Sequence, residues 1–221
     1  MPDIFFFMTA LGAYLLGSIP TGYLVAWAKG IDIRSVGSGN IGATNAMRVL
    51  GKPAGIFVLL MDALKGFLAV KCLAPLMVHF VLHSFSTIIE PEEISALQLM
   101  AGICAVLGHN YTCWLRFKGG KGIATTAGVF LALAPWAVLI ALVVFILAVL
   151  LTKYVSIGSI AAAIALPAAV WIMTPQNVVL GVIATALGVM AIYKHKGNIE
   201  RLMAGTENRI GKKSSTTDEA K

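Results

Sequence analysis

Long apolar runs follow one another along this chain with little polar relief between them. Read as membrane-length helices, they fall at 4–28, 53–78, 94–112, 123–134, 136–151, 156–173 and 177–193. The fourth is short. At 1.5 Å per residue it reaches only about 18 Å, so it is expected to tilt, to insert partway or to lean on its neighbours. The first run begins at Ile4 with no basic stretch ahead of it, so it reads as a membrane span and not as a cleaved signal. The pattern predicts an all-α, polytopic integral membrane helix bundle. Residues 1–209 form its single domain, and 210–221 form a polar tail expected to be disordered.

Composition agrees. Of the 221 residues, 58% are hydrophobic and only 12% are charged, and the mean hydropathy is +0.87. The net charge of +7 points to topology and anionic headgroups, not to nucleic acid. Its distribution is one-sided. One set of connections holds Lys29, Arg34, Arg48 and Lys52, then Arg116, Lys118 and Lys121, then Lys153, and the C-terminal stretch adds seven more cations from Lys194 onward. The alternate connections, at Asp3, at Glu90–Glu93, at Pro135 and at "TPQN", hold none. The positive-inside rule then places the N-terminus outside and the C-terminus in the cytoplasm. That requires an odd number of spans: seven by this layout, with five as the fallback.

Asp62 and Lys65 fall inside the second span, three residues apart, and can pair on one face. Lys71 is expected to snorkel outward. The three cysteines, Cys72, Cys104 and Cys113, lack metal-ligand spacing and read as reduced structural thiols. His79 and His83, four apart with no third ligand nearby, read as solvated surface.

Candidate chemistry gathers in three stretches on the cation-bearing side. In "GSGNIGATNAMR", Gly37, Gly39 and Gly42 allow close backbone approach and an anion nest. Ser38, Thr44, Asn40 and Asn45 add donors there, and Arg48 offers a planar fork suited to phosphate. In "GHNYTCWLRFKGGKG", Lys118, Gly119, Gly120, Lys121 and Gly122 lie just before the fourth span, where a helix N-terminus favours an anion. The spacing is not that of a Walker loop. In "YKHKGNIERLMAGTEN", His195 and Asn198 are three apart and can face one way. Topology alone requires lysine and arginine, but it does not require these glycines and amides. The inference is two phosphate-sized sites at a membrane surface. The residues leave open whether they serve a lipid-precursor enzyme or a transporter of a small organic phosphate.

At these motifs the chain resembles the bacterial integral-membrane acyl-phosphate–glycerol-3-phosphate acyltransferases, the PlsY family. The likeness runs through "GSIPTGY", "GSGNIGATNAMR", "LMDALKG", "GHNYTCWLRFKGGKGIAT", "SIGSIAA" and "HKGNIERLMAGTEN", in that order. The resemblance implies a seven-helix bundle in the bacterial inner membrane, with its site facing the cytoplasm. It implies transfer of a fatty acyl group from acyl phosphate to the 1-hydroxyl of glycerol 3-phosphate, giving lysophosphatidic acid and phosphate without metal or cofactor. An acyl-phosphate-producing enzyme would supply the donor, and the chain is expected to act as a monomer. By the same resemblance Ser38 and its glycines belong around the acyl-phosphate phosphate. Arg48 and Lys121 would bind the glycerol 3-phosphate phosphate or balance charge between the substrates. His195 and Asn198 would hold the glycerol substrate, with Ser159 preferred to Ser156 beside them, and Glu207 in support. No H-x-x-x-x-D motif occurs, so the usual His–Asp dyad of the other glycerolipid acyltransferases is missing.

Overall fold

The computed structural model describes residues 3–85 and 89–211. The polar tail expected from 210 onward lies, after Gly211, outside the described residues. Among the described residues the fold is helical throughout, with no strand. The first apolar run is broken. Helix α1 (Asp3–Ser18) stops before Pro20 and α2 (Thr21–Trp27) resumes after it, because proline removes a backbone donor and clashes with the preceding turn. The loop that follows contains a short helix, α3 (Ala43–Leu50).

The second run is longer than its apolar core suggests. Helix α4 (Lys52–Leu68) passes through a π segment (Ala69–Leu73) into α5 (Ala74–Phe85), seven residues beyond the expected end at 78. His79 and His83 therefore stack on the last turns of α5, with ring centroids 4.0 Å apart. The remaining helices are α6 (Pro91–Asn110), α7 (Ile123–Leu133), α8 (Pro135–Thr152), α9 (Val155–Met173), α10 (Val178–Lys194) and α11 (Lys196–Met203). Their starts follow local chemistry. Pro135 and Pro91 occupy first-turn positions where no amide donor is needed, and Glu90 with Glu93 form a capping box.

Helix α8 is apolar all round, yet only Ala137 and Ala141 on it are buried. A helix of this kind is stable where hydrocarbon is the solvent. By length and composition Asp3–Trp27, Pro135–Thr152 and Val155–Met173 can each cross a membrane, and α10 with α11, bent by 51°, forms a fourth candidate. Helices cross closely through small residues. A Cβ on Gly17 of α1 would lie 2.0 Å from the Ala105 carbonyl oxygen of α6, and one on Gly128 of α7 would lie 1.8 Å from that of Ala63 in α4. These crossings bring the starts of α3, α7 and α11 to one end of the bundle. A separate apolar cluster of Ala26, Ile33, Ile41, Ala46, Val58 and Leu115 seats the loop before α3 there.

Candidate active site

One cavity at that end is lined from all three candidate stretches. Ser38, Asn40, Gly42, Thr44, Asn45 and Arg48 come from the first, Lys121 and Gly122 from the second, and His195, Asn198 and Glu207 from the third. Ser159 of α9 also lines it. Lys121 Nζ donates to Asn198 Oδ1 across 77 residues of sequence. Asn198 Nδ2 donates to Glu207 Oε1 at 2.8 Å, and Arg201 Nε donates to Glu207 Oε2 at 2.7 Å. This chain fixes the ammonium beside Arg48 while Arg201 neutralises the carboxylate.

The first stretch forms less of a nest than its glycines suggest. Gly37 and Gly39 have φ of +63° and +70°, left-handed conformations, and neither lines the cavity. Instead they let the loop fold over Asn45. Asn45 was expected to offer its amide to a ligand, but it is nearly used up inside the loop. Its Oδ1 accepts from the Ser38 N–H at 2.8 Å and its Nδ2 donates to Ile33 O and Val36 O. The Asn40 Oδ1 likewise accepts from Gly42 N at 2.8 Å. Donors toward an anion come from helix starts instead. The first-turn residues Ala43 and Thr44 of α3, and Ile123 and Ala124 of α7, line the cavity, and such N–H groups have no intrahelical acceptor.

Lys118 is exposed and lines neither this cavity nor its neighbour. Gly119 and Gly120 line the neighbouring basin, together with Tyr111, Tyr193, Lys194 and Lys196. That basin shares Asn40 and Lys121 with the main cavity.

Electrostatics follow from burial and crowding. Burial foremost, opposed by Glu207 and aided by Arg201 and Arg48, lowers the Lys121 ammonium to about 8. Burial also lowers Arg48. His195 is lowered from 6.5 to about 4, by burial first and by neighbouring Lys121 second. Its Nδ1 lies 2.8 Å from Ala191 O. A carbonyl only accepts, so the proton sits on Nδ1 and the neutral ring keeps Nε2 as an acceptor.

Four polar lining residues lie outside the site expected from the sequence: Asp62, His109 and Asn208, and Ser156, to which Ser159 is preferred there. Asp62 and Lys65 pair as the spacing predicts, at 2.9 Å. Ser156 Oγ is buried without a hydrogen-bond partner, so both serines of "SIGSI" face the cavity and not Ser159 alone. The signals in the sequence were a carboxylate three residues from a lysine within an apolar run, and the places of His109, Ser156 and Asn208 inside the quoted motifs.

A helical membrane-type fold that gathers two cations, two helix starts and a neutral imidazole at one end suits a protein that handles phosphate-bearing molecules. Known proteins narrow the class. The glycerol-3-phosphate acyltransferase family model matches residues 7–205. Glycerol-3-phosphate acyltransferases of Geotalea daltonii and Trichlorobacter lovleyi are 44% and 47% identical to this chain. They cover 90% of it in each case, and 94% of their own lengths. The crystal structure of PlsY, an integral membrane glycerol 3-phosphate acyltransferase, in its glycerol 3-phosphate form is 39% identical, with a TM-score of 0.79 over 93% of this chain and 96% of its own. Its lysophosphatidic acid form is 38% identical, with a TM-score of 0.76 over 93% and 95%. The chain belongs to the glycerol-3-phosphate acyltransferase family.

Proposed function

We propose that this protein transfers a fatty acyl group from acyl phosphate to the 1-hydroxyl of glycerol 3-phosphate, releasing lysophosphatidic acid and phosphate. The observation that carries the reading is the Lys121–Asn198 hydrogen bond beside Arg48. It ties the second and third stretches together in a cavity that the first also lines, in a chain whose relatives are named glycerol-3-phosphate acyltransferases.

The donor is already activated, so the site needs no acyl-enzyme. Its tasks are to hold two anions together and aim a hydroxyl at the carbonyl. Arg48 and Lys121 bind phosphate oxygens. His195 Nε2 accepts a hydrogen bond from glycerol, and Asn198, Ser159 and Ser156 orient the substrate. Ser38 and the starts of α3 and α7 favour charge on the acyl-phosphate side. The hydroxyl oxygen bonds to the carbonyl carbon as the carbon–phosphate oxygen bond breaks. The hydroxyl proton passes to a phosphate oxygen, since an imidazole held near 4 is a weak base.

The seven segments α1–α2, α4–α5, α6, α7, α8, α9 and α10 would span the bacterial inner membrane as one domain. The asymmetry of cations supports an outer N-terminus and a cytoplasmic site. The protein would act as a monomer, supplied by an enzyme that makes acyl phosphate.

Purified protein should release phosphate from acyl phosphate only when glycerol 3-phosphate is present. Uptake of glycerol 3-phosphate into sealed vesicles without such turnover would instead make the protein a transporter. If His195→Gln kept its substrate affinity while kcat fell more than about a thousandfold, beyond what one hydrogen bond supplies, the substrate-assisted proton step would be lost.

A further inference from the structure

Asp62 and His109 bring to the cavity a carboxylate and an imidazole 47 positions apart, a pairing no local motif reveals. Both are buried, and both line the cavity. His109 Nδ1 lies 3.6 Å from Asp62 Oδ1, and Lys65 Nζ lies 2.9 Å from the same oxygen. That oxygen pairs with the Lys65 ammonium and lies beside the imidazole, without hydrogen-bond geometry to either nitrogen. Lys65 Nζ in turn donates to Ile19 O at 2.9 Å, at the break Pro20 makes between α1 and α2. The chain of contacts runs from that break, through α4, to the end of α6.

Its far end is the loop that carries Lys121. Gly120 N donates to His109 O at 3.0 Å, and Gly119 N donates to Asn110 O at 3.2 Å. The imidazole occupies the space a side chain on Gly120 would need: a Cβ there would lie 2.1 Å from His109 Nε2 and 2.7 Å from its Cε1. The glycines of "GGKG" differ in this respect. A Cβ on Gly119 would strike the backbone oxygen of His109, and Gly122 has a left-handed φ of +82°. Only at Gly120 is the obstruction a side chain alone, with a backbone that alanine can adopt.

We propose that Asp62 and His109 are positioning residues of the acyl-transfer site. Asp62 holds the imidazole, the imidazole seats Gly120, and Gly120 sets where Lys121 meets phosphate. The inference rests on the acyltransferase reading, and glycerol 3-phosphate-dependent phosphate release by the unaltered protein tests that reading separately. Failure there removes the reading, whereas the comparisons below are made only between active variants.

The test is a pair of double-mutant cycles, read as kcat and KM for glycerol 3-phosphate. Gly120→Ala should lower kcat/KM by more than about tenfold in the unaltered protein but by less than about threefold in His109→Ala, where the space is vacant. His109→Ala should raise KM for glycerol 3-phosphate by more than about tenfold, yet change it by less than about threefold in Lys121→Ala, because its effect passes through the ammonium. Asp62→Asn, which keeps the shape and removes the charge, should shift KM in the same direction as His109→Ala. If His109→Ala fails to fold, His109→Asn replaces it, since it keeps an amide toward Asp62 and lacks the ring edge against Gly120. Equal penalties for Gly120→Ala in both backgrounds, or full additivity of His109→Ala with Lys121→Ala, would overturn the proposal.

Discussion

Arg48 and Lys121 are both cations beside the cavity, but they differ in kind. The guanidinium is a fixed fork, while the ammonium is a point charge whose proton is held loosely. Arg48→Ala should raise KM for glycerol 3-phosphate by about 10- to 150-fold, the range for one hydrogen bond to a charged group. Arg48→Lys should restore only part of it, and full activity in Arg48→Lys would show the fork to be unnecessary. For Lys121, lowered to about 8, kcat/KM should fall as pH rises through 8, because the phosphate-binding charge is lost. In Lys121→Arg that limb should move beyond the measurable range. His195 gives the complementary test on stability. Its folded value of about 4 lies below the ordinary 6.5, so between those values the unfolded chain binds a proton that the folded one does not. Stability should rise with pH from 4 to 6.5 and level off above, and His195→Gln should flatten that slope in thermal melts.

At the scale of elements, the loop before α3 depends on one amide. Asn45 bonds to Ser38 N, Ile33 O and Val36 O at once. A Cβ on Gly37 would lie 2.2 Å from its Oδ1, at a φ of +63°. Asn45→Asp keeps the acceptor for Ser38 but turns an oxygen toward two carbonyls, so it should be as damaging as Asn45→Ala. Gly37→Val should behave likewise. In each case the protein should still insert, since the long apolar helices are untouched, while protease sensitivity between residues 30 and 42 rises and acyl transfer falls. Normal turnover in Asn45→Asp would refute the role given to the amide. The same loop explains why the sequence overstated the nest: glycine spacing reveals backbone freedom, but not which groups consume the freed N–H donors.

For the whole molecule, every part of the proposed site sits at one end of the bundle, and sidedness can be measured. Single cysteines at Ser38, Lys118 and Lys196, all exposed, would be placed in a background lacking Cys72, Cys104 and Cys113. An impermeant thiol reagent added to intact cells should miss all three and label a cysteine at the exposed Glu92. Inside-out vesicles should reverse the result. Reaction of Ser38 and Lys118 from opposite sides would break both the seven-span layout and the single cavity.

The sequence by itself determined the helical class, through runs too long and too apolar for anything else, and most helix ends, through local rules. Pro135 and Pro91 mark starts because a helix's first turn needs no donors, and that effect acts over three or four residues. The Asp62–Lys65 pair was legible for the same reason. Pro20 also declared itself locally, but an unbroken apolar run concealed its consequence. Only the tertiary structure decided which faces meet. It joined Lys121 to Asn198, turned Asn45 inward, and brought Asp62, His109, Ser156 and Asn208 to the cavity. Those contacts depend on how closely the helices cross, as at Gly17 and Gly128, where the absence of one carbon lets two backbones touch. Spacing along a chain carries no measure of that distance, because it is set by shape complementarity between segments that do not neighbour each other in sequence.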